Sequence, residues 1–262
     1  MLINIFCILI LLFSVAPLRA ETQLSLATDD WPPYEFVDVR SGKLNGLSTE
    51  IIRAVFERMG LPEPEIELYP WARAEQEAFV GSVDGIYSIT PSPERLRHLL
   101  FPDEPLTTEQ GVLFVRKDRV GLLQIDSVDD LKRLNIGVVR GYAYSSALWM
   151  ALDDFGNFSA VTQEEQLFQM LALKRFDAVV SYRNTGVGMV RRLSLSDQIE
   201  PYEGYVLFAH SFYLAFNRNK VKSDVVQAFS RQLVAFKKTG AYRQLLQKYL
   251  TTHDPLSGGG GD

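Results

Sequence analysis

Ser88, Thr90, Ser92 and Arg95 fall together in the segment Ser88-Ile89-Thr90-Pro91-Ser92-Pro93-Glu94-Arg95. These residue types suit one task, the grip of an anion. A guanidinium meets a carboxylate with two parallel hydrogen bonds, and hydroxyls donate beside it. Ser92 suits a helix cap and Pro93 the first helical position, which would add orphan N–H groups and the positive end of a helix dipole. Read alone, the segment fits an ordinary capped surface helix with a solvated arginine equally well.

The elements that must position these residues alternate. Gln23–Ala27 reads as a strand and leads into Thr28-Asp29-Asp30-Trp31-Pro32-Pro33-Tyr34-Glu35-Phe36, a loop loaded with aromatics. Gly46-Leu47-Ser48 opens a helix with apolar Ile51, Ile52, Val55, Phe56 and Met59, and Gly60 closes it. Glu65–Leu68 then reads as a strand, Trp71–Val80 as a helix and Val83–Tyr87 as a buried strand. After a strand at Gly111–Val115 and a short helix capped by Ser127, a second strand-helix run starts at Asn135. It takes Asn135–Val139 as a strand, Tyr144–Leu152 and Gln163–Leu173 as helices, Asp177–Val180 as a strand and a helix through Val190. Phe212–Phe216 is a late strand, and amphipathic helices cover Ser223–Thr239 and Ala241–Leu250. A β-α-β-α-β pattern appearing twice predicts an α/β fold of two similar lobes with largely parallel sheets.

Composition narrows the function classes. Residues 1–20 hold a short apolar run ending in Ser14-Val15-Ala16-Pro17-Leu18-Arg19-Ala20, which reads as a secretory signal cleaved after Ala20, although nothing basic precedes the apolar core. The sole cysteine, Cys7, lies within it, so the mature chain is expected to carry neither thiol nor disulfide. The net charge of −5, with no basic run, makes nucleic acid a poor partner. His98, His210 and His253 are scattered, without the spacing of metal ligands, and no cofactor is expected. The Gly-rich 251–262 reads as a flexible tail.

The chain resembles the extracytoplasmic solute-binding proteins of family 3, whose members bind polar amino acids for ABC importers. The resemblance rests on Trp31-Pro32-Pro33-Tyr34; on Asp84-Gly85 followed by Ser92-Pro93-Glu94-Arg95 and Phe101; on Asp130-Leu131 leading to Ile136-Gly137-Val138 and Gly141; on Phe176-Asp177-Ala178-Val179; and on Lys238-Thr239-Gly240-Ala241-Tyr242 with Lys248-Tyr249. It implies a two-lobed periplasmic-binding-protein type II fold with hinge crossings near Leu106–Gly111 and His210–Ser211. Lobe 1 would comprise 21–107 and 212–250, and lobe 2 would comprise 108–211. It also implies a cleft ligand, with Arg95 on its carboxylate, Ser88, Thr90 and Ser92 as adjacent donors, and Trp31 and Trp71 as sandwiching aromatics. Trp31, between two aspartates and two prolines, sits in a poor context for a core residue, whereas Trp71 fits core and cleft equally. Tyr34 reads as packing. Pro70-Trp71-Ala72-Arg73-Ala74 resembles a signature of relatives that often lack an importer. Arg73 is a second cleft cation or a solvated helix residue, and Asp30 an ammonium acceptor or a loop cap.

Two positions depart from the family pattern. Gly141-Tyr142 stands where amino-acid binders carry Gly-Thr or Gly-Ser, and Tyr182 stands where an aspartate grips the ligand's α-amino group. A phenol does not balance an ammonium as a carboxylate does, so these changes predict a flatter or larger carboxylate among Trp31, Trp71, Tyr142 and Tyr182. The expected function is monomeric capture of a small carboxylate-bearing solute in the periplasm, for an inner-membrane ABC permease or a sensor protein. The alternatives are an exported dehydratase of the prephenate or arogenate type, with Glu203 or Asp30 as its acid, and a soluble sensor subunit.

Overall fold

The computed structural model describes residues 23–142 and 144–251. The apolar leader with Cys7 and the Gly-rich end of the chain with His253 lie outside the described residues. In chain order the elements that build the main sheet and its cover are β1 (Ser25–Thr28), α1 (Leu47–Met59), β2 (Glu65–Leu68), α2 (Trp71–Val80), β3 (Gly85–Ile89) and β4 (Thr107–Arg116). They continue with β5 (Ile136–Val139), α3 (Ser146–Phe155), β6 (Phe158–Val161), α4 (Glu164–Ala172), β7 (Ala178–Tyr182) and α5 (Arg183–Arg192). The last are β8 (Ile199–Asn217), α6 (Ser223–Lys237) and α7 (Gly240–Leu246).

The strands run in the order β2-β1-β3-β8-β4-β7-β5-β6. β2-β1-β3 and β7-β5-β6 are parallel triplets, each flanked by an antiparallel strand, β8 beside β3 and β4 beside β7. The two β-α-β-α-β runs are therefore copies of one arrangement, and β4 and β8 join them. β8 pairs with β4 from Ile199 opposite Arg116 to Phe212 opposite Thr107, then with β3 through Phe216 opposite Gly85. Apolar packing follows the same division: one set of clusters gathers residues such as Leu26, Ile51, Tyr87, Leu214 and Phe229, and another gathers Val112, Leu113, Ile136, Leu167 and Val180.

Two expectations need correction. The late strand is not confined to Phe212–Phe216 but begins at Ile199. Pro201 and Gly204 disguise its first half, and the pairing register shifts on both sides of Val206, the irregularity such residues permit in a strand. The segment led by Ser92 forms only the single turn Arg95–His98. Ser92 Oγ accepts the Arg95 N–H at 3.2 Å, but Glu94 holds the cap position and has no side-chain cap bond. One turn sums too few peptide dipoles to draw an anion, and the cationic pull of this segment resides in the Arg95 side chain.

Candidate functional site

The residues that hold Arg95 come from α2. Trp71 and Glu75 are four residues apart and share a helix face. Glu75 Oε1 accepts from Arg95 Nε at 2.7 Å, and the guanidinium carbon stands 5.7 Å from the Trp71 ring centroid. Arg95 Nη1 donates to both the carbonyl and the hydroxyl of Thr90, at 2.8 and 2.7 Å. The guanidinium is thus held through Nε and Nη1 before any ligand arrives. Arg73 lies two residues from Trp71, on the opposite side of α2. It pairs with Glu77 at 3.4 Å, stands over Tyr69 and is exposed, so it is not a cleft cation.

The Trp31 loop is locked to the start of α1. Pro33 and Tyr34 carbonyls accept from the N–H groups of Leu47 and Ser48, at 3.0 and 2.9 Å, which satisfies donors a helix start leaves open. Gly46 makes this approach possible: at φ 123 any Cβ would sit 2.2 Å from the Tyr34 carbonyl oxygen. Trp31 packs on Tyr34, Phe212 and Tyr182 with ring centroids 4.6, 4.8 and 5.8 Å away. Behind it Glu35 is fully buried, and burial pushes its carboxyl well above the usual range. Its Oε2 lies 2.8 Å from the Ser88 hydroxyl, which also lies 3.3 Å from Ser48 Oγ. Ser88 itself has φ 58, a left-handed conformation uncommon for a residue with a Cβ.

The other lobe presents the ends of β5 and β7. Gly141, at φ 83, turns the chain after β5. The Tyr142 hydroxyl lies 3.5 Å from Glu164, whose other oxygen is bonded by Ser181. Tyr182 is buried, and its hydroxyl is hydrogen-bonded to His210 Nδ1 at 2.8 Å. Burial lowers the His210 pKa and so favours the neutral ring.

These groups line a cleft of about 370 Å³ formed by Asp29, Asp30, Trp31, Trp71, Ser88, Thr90, Arg95, Arg140, Gly141, Tyr142, Tyr182 and Phe212. A second cavity of about 330 Å³ shares Asp30, Trp31 and Tyr142 with it. Of the ligand-binding residues expected from the sequence, Arg73 and Ser92 are missing from the cleft wall. Ser92 instead anchors the Arg95 backbone. Sequence reading passed over Asp29, Arg140, Phe212 and the supporting Glu75. Glu75 carried a legible signal, its spacing of four from Trp71; Arg140, beside the singled-out Gly141, carried only adjacency. Burial, with Asp30 as a minor contributor, pushes the Asp29 carboxyl up to about 6. Glu203, exposed and ion-paired to Arg183, is not part of this wall. Among the described residues no group of three His, Cys, Asp or Glu is placed to hold a metal ion.

Two α/β lobes joined by paired strands, with a polar and aromatic cleft, define a periplasmic-binding-protein fold of type II. The chain belongs to the bacterial extracellular solute-binding proteins, family 3, whose model matches residues 24–252. It is 21% identical over 217 residues to the probable amino-acid-binding protein YxeM of Bacillus subtilis (strain 168), covering 82% of this chain and 80% of that one. Among solved structures it is similar to a histidine kinase sensor domain with similarity to periplasmic binding proteins, at TM-score 0.68 and 24% identity, over 88% of this chain and 97% of that one. It is also similar to the ancestral amino acid-binding protein AncCDT-1, a precursor of cyclohexadienyl dehydratase, at TM-score 0.63 and 21% identity, over 87% and 96% of the two chains. No helix among the described residues is long and apolar enough to cross a membrane.

Proposed function

We propose that the protein is exported, with its leader cleaved after Ala20, and captures a small carboxylate-bearing solute, amino-acid-like or another organic acid, in the periplasm. Residues 21–107 with 212–250, and residues 108–211, act as lobes that close over the ligand about the β4–β8 pair. The monomer then delivers its ligand to an inner-membrane ABC permease or a sensor protein. The observation that carries this reading is Arg95, braced by Glu75 and Thr90 beside Trp71 and lining the cleft. A guanidinium already held through Nε and Nη1 offers its Nη2 donors to a carboxylate without losing rotamer freedom on binding. Asp29 and Asp30, in the same wall, supply the acceptor for a cationic group that Tyr182 does not.

The test is thermal unfolding of the mature protein against amino acids, aromatic acids, dicarboxylates and short peptides. A ligand at about 100 times its Kd should add about 2.7 kcal/mol of stability, and Arg95→Ala should abolish the shift. A shift that persists undiminished in Arg95→Ala, or none across the panel, counts against the reading. The dehydratase alternative draws support from Asp29, whose pKa of about 6 suits a general acid near neutral pH. Turnover of prephenate decides it.

A further inference from the structure

The cleft wall holds a second guanidinium from the opposite lobe. Arg140 closes β5 just before the Gly141 turn, and its backbone N–H is tied to the Val161 carbonyl at 2.8 Å. Its base is therefore fixed by the sheet, while its side chain is exposed and lines the cleft. Among the described residues that side chain has no ion-pair or hydrogen-bond partner, although Asp29 and Asp30 line the same cleft. Arg95 differs: Glu75 already offsets its charge. Closing the lobes expels water, and a guanidinium that loses water without gaining a partner is costly. The aromatic groups contributed by Trp31, Tyr142 and Tyr182 carry no balancing charge.

We propose that Arg140 is the second anion-binding residue of the cleft and that the ligand is a dicarboxylate, one carboxylate on Arg95 and the other on Arg140. The inference rests on the carboxylate-capture reading above and sharpens it to a ligand class. The two guanidiniums belong to different lobes, so a dianion is held fully only when the lobes are closed. A monoanion leaves Arg140 unpaired and is disfavoured by that deficit.

The test is isothermal titration at fixed ionic strength with pairs that differ by one charge: L-glutamate and L-glutamine, glutarate and butyrate, isophthalate and benzoate. The expected result is at least a tenfold preference for the dianion in one pair or more. Arg140→Gln should erase most of that preference, weakening the dianion several-fold while the monoanion, relieved of the unpaired guanidinium, binds no more weakly than to wild type. Arg95→Gln should weaken both members. Arg140 is exposed, so its substitution should leave the fold intact, which circular dichroism checks. Monoanions that bind as tightly as their dianions overturn the inference and leave carboxylate capture standing. Equal weakening of both members by Arg140→Gln also overturns it, because Arg140 would then act as a latch between lobes. Binding of no member by the wild-type protein, with none in the wider panel, overturns carboxylate capture itself and this inference with it.

Discussion

At the scale of single residues, the most constrained group is one the cleft conceals. Among the described residues Glu35 has no ion-pair partner and its Oε1 no hydrogen-bond partner; the hydroxyls of Ser88 and Ser48 bond it, and Asp29 and Asp30 act on it with like charge. Burial penalises an ionised carboxylate there and so favours the neutral acid. Its folded pKa is raised above the ordinary 4.5, so the folded state binds the extra proton. That stability is fully present below the unfolded pKa and is lost as pH climbs from there to the folded value. The loss runs at up to about 1.4 kcal/mol per pH unit for one proton. Glu35→Gln keeps the shape and a donor but cannot ionise. Urea unfolding from pH 5 to pH 8 should therefore show the stability of Glu35→Gln gaining on wild type as pH rises. Parallel pH profiles would mean that Glu35 is ionised in the folded protein. Glu109 and Glu164 titrate in both proteins and drop out of the difference, whereas Asp29 and Asp30 are coupled to Glu35 and their share of the difference belongs to the same cluster.

At the scale of elements, the site depends on how loops dock onto helix starts. The Trp31 loop rides on α1 through the Pro33 and Tyr34 carbonyls, and Gly46 is the residue that lets them approach. Gly46→Ala combines a backbone clash with a strained φ and should cost about 2 kcal/mol or more in denaturant unfolding. Because the displaced loop carries Trp31, ligand affinity should fall even where the variant remains folded. A variant with wild-type stability and affinity would show that the loop docks independently of this contact. These elements were largely legible beforehand, since the 3.6-residue apolar period of α1 and the buried runs at Gly85–Ile89 and Ala178–Tyr182 are strong local signals. Three features were not. Phe158–Val161 is a four-residue outer strand whose alternation is too short to read. The first half of β8 breaks its own pattern with Pro201 and Gly204. Arg73 stayed open between a cleft cation and a solvated helix residue, when its distance of two residues from Trp71 already sets it on another face of α2. Asp29 and Arg140 escaped notice because nothing local marks a residue that becomes a site only when two distant strand ends meet.

At the scale of the whole molecule, the β4–β8 pair is the shared axis, and beside it one side chain bridges the two halves. Asn184, at the start of α5, donates from Nδ2 to Tyr34 Oη at 3.1 Å and to Glu109 Oε1 at 2.8 Å. Tyr34 belongs to the Trp31 loop and Glu109 to β4, so the amide ties a cleft-wall loop of one lobe to the axis and to a helix of the other. Glu109 is buried and its pKa is raised by that burial, so removing Asn184 would leave a buried acid poorly partnered and would confuse closure with stability. Tyr34→Phe is the smaller change, because Glu109 then keeps Asn184. It keeps the ring against Trp31 but deletes a phenol that also bonds the buried Glu109, so a loss of about 1–3 kcal/mol of global stability is expected and is measured beside the dimensions. If this bond holds the ligand-free molecule partly closed, its loss moves the population toward the open form, and small-angle scattering should register a larger radius of gyration than wild type. Saturating ligand should bring the two proteins back to the same dimensions, with the variant requiring more ligand to reach them, because closure then draws its free energy from the ligand alone. An unchanged radius in the ligand-free variant would place the control of closure elsewhere, in the packing of Trp31 on Tyr182 that spans the same gap.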